Sequence, residues 1–223
     1  SYNFTGAGAV TMERVDATAI TANGMTFTNF EMFNITGTSL HDTLIGADSA
    51  DVLNGAGGAD TLSGGAGDDM YYVDNIGDVT TEDVGAGIDA VIAARSWAVA
   101  SNIERVTLTG TGDFNVAGNG LANTLKGNSG DNWINGSFGK DTLTGGGGRD
   151  SFIFNRTLGP NNIDTITDYD VVRDVIRIDN AVFAGIGPAG ALAAGAFNTG
   201  AAATQADDRI IYDSATGKLF FDI

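Results

Sequence analysis

The chain has 223 residues, with no cysteine, one histidine, 33 glycines, 2 prolines and a formal net charge of −17. Such acidity argues against DNA, RNA or an anionic membrane as partner, since those attract basic faces and the eleven Lys and Arg are scattered. There is no N-terminal apolar run of the signal-peptide kind and no apolar stretch long enough for a membrane span.

Residues 1–36 read as an N-terminal β segment. Residues 37–75 are a first block in which 37–72 fall into nines, GTSLHDTLI, GADSADVLN, GAGGADTLS and GGAGDDMYY, with Asp42, Asp51, Asp60 and Asp69 nine apart and Leu44, Leu53, Leu62 and Tyr71 two positions after them. Glycine at the turn positions admits φ > 0 and close backbone approach. The x-U-x that follows is a three-residue strand whose central apolar residue points inward. Two nines make one coil of a parallel β-roll, so turns on one side are eighteen residues apart and Asp42 stacks on Asp60, and Asp51 on Asp69.

Residues 76–117 are rich in β-branched residues and carry no nonapeptide; they read as longer β-helix rungs without metal. Glu104 there recurs with Glu31 at an offset of 73 and is expected to satisfy turn amides. The nines return in a second block, 118–154, where 118–153 read GNGLANTLK, GNSGDNWIN, GSFGKDTLT and GGGGRDSFI, which stacks Asn123 on Asp141 and Asn132 on Asp150. Two carboxylates about 4.8 Å apart, as stacked in the first block, repel by roughly 3 kcal/mol at an effective dielectric of about 20, whereas Asn123 and Asn132 are neutral, so the second-block sites each hold one carboxylate and are expected to be weaker. Lys140 and Arg149 are the only cations of the turns, so a hard cation that accepts carboxylate and carbonyl oxygen, calcium, is the expected ligand.

Residues 155–223 form a C-terminal capping region. The alternating segment 164–179 reads either as an edge strand blunted by charge or as the close of the roll, with Asp164 or Asp168 completing a last metal site. A short helix is expected around Gly190–Phe197, and a β-hairpin around Ser214–Gly217 bringing Ile210 and Ile211 to Phe220 and Phe221. Gly185–Gly190 matches GxGxxG, but with Pro188 inside it and no strand leading into it, it is a coincidence. His41 stands alone and HExxH is absent, so no catalytic set can be assembled and the chain reads as a non-enzyme.

The last nine of each block fits GGxGxDxUx at every fixed position. On these motifs the sequence resembles the RTX (repeats-in-toxin) family, with hemolysin-type calcium-binding repeats and a serralysin-like C-terminal β-roll region. The resemblance implies an all-β parallel roll and a ligand set made of the sixth-position residue with carbonyls of the first four turn residues. Carried onto this sequence, that set is Asp42, Asp51, Asp60 and Asp69 with Gly55, Gly57, Gly58, Gly64, Gly65, Ala66 and Gly67 in the first block. In the second it is Asn123, Asn132, Asp141 and Asp150 with Gly127, Gly130, Gly136, Gly139, Gly145, Gly146, Gly147 and Gly148, and Asp168 beyond. About four or more calcium ions are expected.

The resemblance also implies a secreted, extracellular protein of Gram-negative type, exported through type I secretion machinery by a signal that lies beyond Ile223. The leading functional reading is a module that is disordered in a low-calcium cytosol and folds outside the cell. An adhesin, S-layer or polysaccharide-binding module engaging a glycan or cell-surface component is the alternative. A β-helix polysaccharide lyase is a third reading, weakened because only Lys140 and Arg149 come near the metal carboxylates.

Overall fold

The computed structural model describes residues 32–157, 159, 161–179 and 181–183, the strands named below outside that run, and Gly200 and Ala215. The possible helix and the GxGxxG match fall on 184–196, outside the described residues, but Phe197 itself opens a strand. No helix occurs among the described residues. The chain divides into two compact units, residues 1–110 and 111–223.

The first unit holds β1 (Tyr2–Asn3), β2 (Met12–Asp16), β3 (Ala19–Ala22), β4 (Met25–Thr28), β5 (Asn34–Thr36), β6 (Thr43–Ile45) and β7 (Val52–Asn54). It continues with β8 (Thr61–Ser63), β9 (Met70–Val73), β10 (Val79–Thr81), β11 (Ala90–Ala93), β12 (Trp97–Ala98) and β13 (Arg105–Leu108). One parallel sheet runs β1-β5-β7-β9-β11-β13, a second runs β6-β8-β10, and β2-β3-β4 form an antiparallel meander.

Alternation puts the middle residue of each three-residue strand inward. Ile35, Leu53, Tyr71, Val91 and Val106 therefore fall in register as one column, and Leu44, Leu62 and Thr80 as the facing one; all are buried. Each aliphatic member contributes roughly 1.5–3 kcal/mol by leaving water. That burial holds together strands too short to persist alone.

The second unit holds β14 (Val116–Ala117), β15 (Thr124–Lys126), β16 (Trp133–Asn135), β17 (Thr142–Thr144), β18 (Ser151–Phe154), β19 (Thr165–Ile166), β20 (Val175–Ile178), β21 (Phe197–Thr199), β22 (Ile210–Asp213) and β23 (Lys218–Phe221). Here β15-β17-β19 and β14-β16-β18-β20 are the parallel faces of the roll, with Leu125, Leu143 and Ile166 in one buried column and Val116, Ile134 and Phe152 in the other. Strand β23 joins the edge of β19 antiparallel and pairs with β22 as the expected hairpin, Ile210 opposite Phe221 and Ile211 opposite Phe220.

The segment 164–179 is not one strand. It supplies β19 to one face and β20 to the other, with a turn between them.

Candidate metal centre

The turns that join these strands stack as a ladder. The backbone N–H of Asp42 donates to Asp60 Oδ1 at 2.8 Å, Asp51 to Asp69 at 2.6 Å, Asn123 to Asp141 at 2.7 Å and Asn132 to Asp150 at 2.9 Å. The eighteen-residue pairing is therefore real, but a backbone amide lies between the partners. Each aspartate spends one oxygen on the N–H of the rung before it, a donor that counting side-chain cations alone leaves out.

The ladder runs on past both blocks. Asp60 N–H reaches Asp78, Asp69 reaches Asp89, and Asp89 reaches Glu104 Oε2; in the second unit Asp141 reaches Asp164 and Asp150 reaches Asp174. Glu104 thus accepts a turn amide. Asp78 stands eighteen residues after Asp60 and was legible by the same spacing, whereas Asp89, Glu104, Asp164 and Asp174 follow at intervals of 20, 15, 23 and 24 and break the period.

The second oxygen separates the turns into two kinds. In turns 37–42 and 46–51 the N–H of the second turn residue caps it, Thr38 to Asp42 and Ala47 to Asp51, and in turns 118–123 and 127–132 the same N–H, of Asn119 and Asn128, caps the single Oδ1 of Asn123 and Asn132. Asp78 and Asp174 are capped in the same way by Asp74 and Asp170.

In turns 55–60, 64–69, 136–141 and 145–150 the second residue, Ala56, Gly65, Ser137 or Gly146, has φ between 59° and 103°, as the fourth-position Gly58, Gly67, Gly139 and Gly148 also have positive φ. No such cap closes these turns. The second oxygens of Asp60, Asp69 and Asp141 are buried there without any hydrogen-bond partner.

The first glycine of an open turn serves space and not φ. A Cβ on Gly55, Gly64, Gly136 or Gly145 would lie 2.3, 2.0, 2.2 or 2.4 Å from the Oδ2 of the aspartate that closes its turn. Gly57 and Gly147 have no such neighbour, and Ala66 fills the equivalent third position. Gly127 and Gly130 sit in a capped turn and make room for the carbonyls of Gly145 and Gly112. Asp168 docks on the last turn, its two oxygens accepting the N–H of Gly145 and of Gly146 at 2.8 Å each.

Burial, opposed by the ladder hydrogen bond and aided by neighbouring carboxylates, lifts Asp60 to about 6, Asp69 to about 8, Asp141 to about 7 and Asp150 to about 6, from an ordinary 3.8. Arg149 does not relieve them; its guanidinium pairs with Asp131 at 3.2 Å on the surface, where its backbone N–H also meets that carboxylate. Burying an anionic oxygen with no partner is strongly unfavourable, and a hard cation that takes several oxygens removes the penalty. The residues of the open turns fit calcium on that ground.

Fold and turns together define a calcium-binding β-roll. Residues 36–71 and 117–152 both match the family model of the RTX calcium-binding nonapeptide repeat (4 copies). The two blocks are RTX calcium-binding repeats. No curated protein matches the chain.

Proposed function

We propose that this chain is a calcium-dependent folding module of a secreted protein, carried out of the cell by type I machinery and assembled outside it. The observation that carries the reading is the set of buried, unpartnered Oδ2 atoms in the glycine-rich turns. In this reading Asp60, Asp69, Asp141 and Asp150 are the principal ligands. The side chains of Asp42, Asp51, Asn123 and Asn132 cap their own turns, and these residues support the ligands through their backbone N–H.

About four ions, one for each open turn, would change the net charge from −17 to about −9 and remove about half of the self-repulsion. At cytosolic calcium the carboxylates stay charged and unpaired, and the chain has no cysteine to replace the missing cross-links. Circular dichroism should show a disordered chain in chelator and β structure in millimolar calcium. A spectrum indifferent to calcium contradicts the proposal.

A further inference from the structure

One place in the first unit gathers carboxylates that the nine-residue pattern does not connect. Asp69 closes an open turn, Glu82 follows β10 directly, and Asp89 directly precedes β11; one oxygen from each lies within 4.8 Å of the other two. Each group has one oxygen anchored. Asp69 Oδ1 accepts the N–H of Asp51, Asp89 Oδ1 accepts the N–H of Asp69, and Glu82 Oε1 accepts the hydroxyl of Tyr71.

The remaining oxygens, Asp69 Oδ2, Glu82 Oε2 and Asp89 Oδ2, are all buried without a partner. Asp69 is 1 % exposed and Asp89 0 %. The ion pairs of Arg149 with Asp131 and of Arg173 with Asp170 lie in the second unit. Nothing among the described residues neutralises the trio.

Tyr71 is built into the same place. Its counterparts Leu44, Leu53 and Leu62 are aliphatic, whereas its hydroxyl accepts the N–H of Gly64 at 2.6 Å while donating to Glu82. A Cβ on Gly64 would meet both Asp69 Oδ2 and Tyr71 Oη. The tyrosine therefore ties the turn that carries Asp69 to the carboxylate of Glu82.

We infer that Asp69, Glu82 and Asp89 form a three-carboxylate site for a divalent cation, calcium by its all-oxygen donors, with Tyr71 positioning Glu82. The inference rests on the turn reading for Asp69 and adds two ligands from outside the matched repeats. Affinity for calcium rises with the number of charged ligands, so this site fills before the other open turns.

Calcium titration of the full chain, followed by calorimetry, tests it. Glu82→Gln should weaken the tightest binding step about tenfold or more and leave the later steps in place. Tyr71→Phe should weaken the same step, as loss of a ligand's hydrogen-bond partner does, by roughly 10-fold. A Glu82→Gln titration that superimposes on the wild type overturns the inference while leaving the turn sites standing; no calcium uptake by the wild type overturns both.

Terbium guards against variants that fail to fold. In the unaltered chain the first equivalent of Tb³⁺ should luminesce when excited through tyrosine, because Tyr71 borders the site. A dark first equivalent overturns the inference.

Discussion

At the scale of the residue, the turns show what a single missing Cβ does. Gly64 leaves the space into which Asp69 Oδ2 points, and alanine there would bring a methyl to 2.0 Å from that oxygen. Gly64→Ala should lower calcium affinity and destabilise the calcium-bound roll by about 1–3 kcal/mol, read from calcium titration and urea unfolding. Gly57→Ala, whose nearest neighbour would be Ser39 Cα at 3.8 Å, should change neither. The aspartates and these glycines were legible because the chemistry repeats in sequence. Which oxygen is capped was not legible, since GNSGDN carries glycine at its first and fourth positions and is nevertheless closed by Asn128 N–H.

Among the elements, the three-residue strands of the two blocks could be read directly, because one apolar residue between polar neighbours has a single way to face a core. Segment 164–179 could not. Alternation looks the same in one strand as in two short ones, and the turn that divides them is made by Asp174 taking the N–H of Asp170 at 2.8 Å. Strand β10 carries the one polar residue of its unit's inward columns besides Tyr71: Thr80 is 3 % exposed, registers with Leu62, and its Oγ1 has no partner. Thr80→Val keeps the shape and removes the stranded hydroxyl. It should raise stability in calcium by about 1 kcal/mol, measured by urea unfolding.

For the whole molecule, the raised carboxylates make stability depend on pH in opposite senses with and without metal. Asp60, Asp69, Asp141 and Asp150 titrate at about 6 to 8 in the folded chain against 3.8 when unfolded. Between those values the folded state holds protons that the unfolded state has released. In chelator, their contribution to stability is therefore full below about pH 4 and is lost as pH rises towards 8. In calcium, protons compete with the ion and affinity should fall as pH is lowered. Circular dichroism in chelator should therefore show more β structure at pH 5 than at pH 8, and the opposite order would contradict the assignment of these buried groups.

The ladder also has a sense. Every hydrogen bond in it runs from the N–H of an earlier rung to the carboxylate of a later one. Deleting rungs from the later end strands a neutral amide, whereas deleting them from the earlier end strands a buried anion, the larger penalty. A stack built this way has unlike ends, and its length can be trimmed or extended with less disruption at the later one.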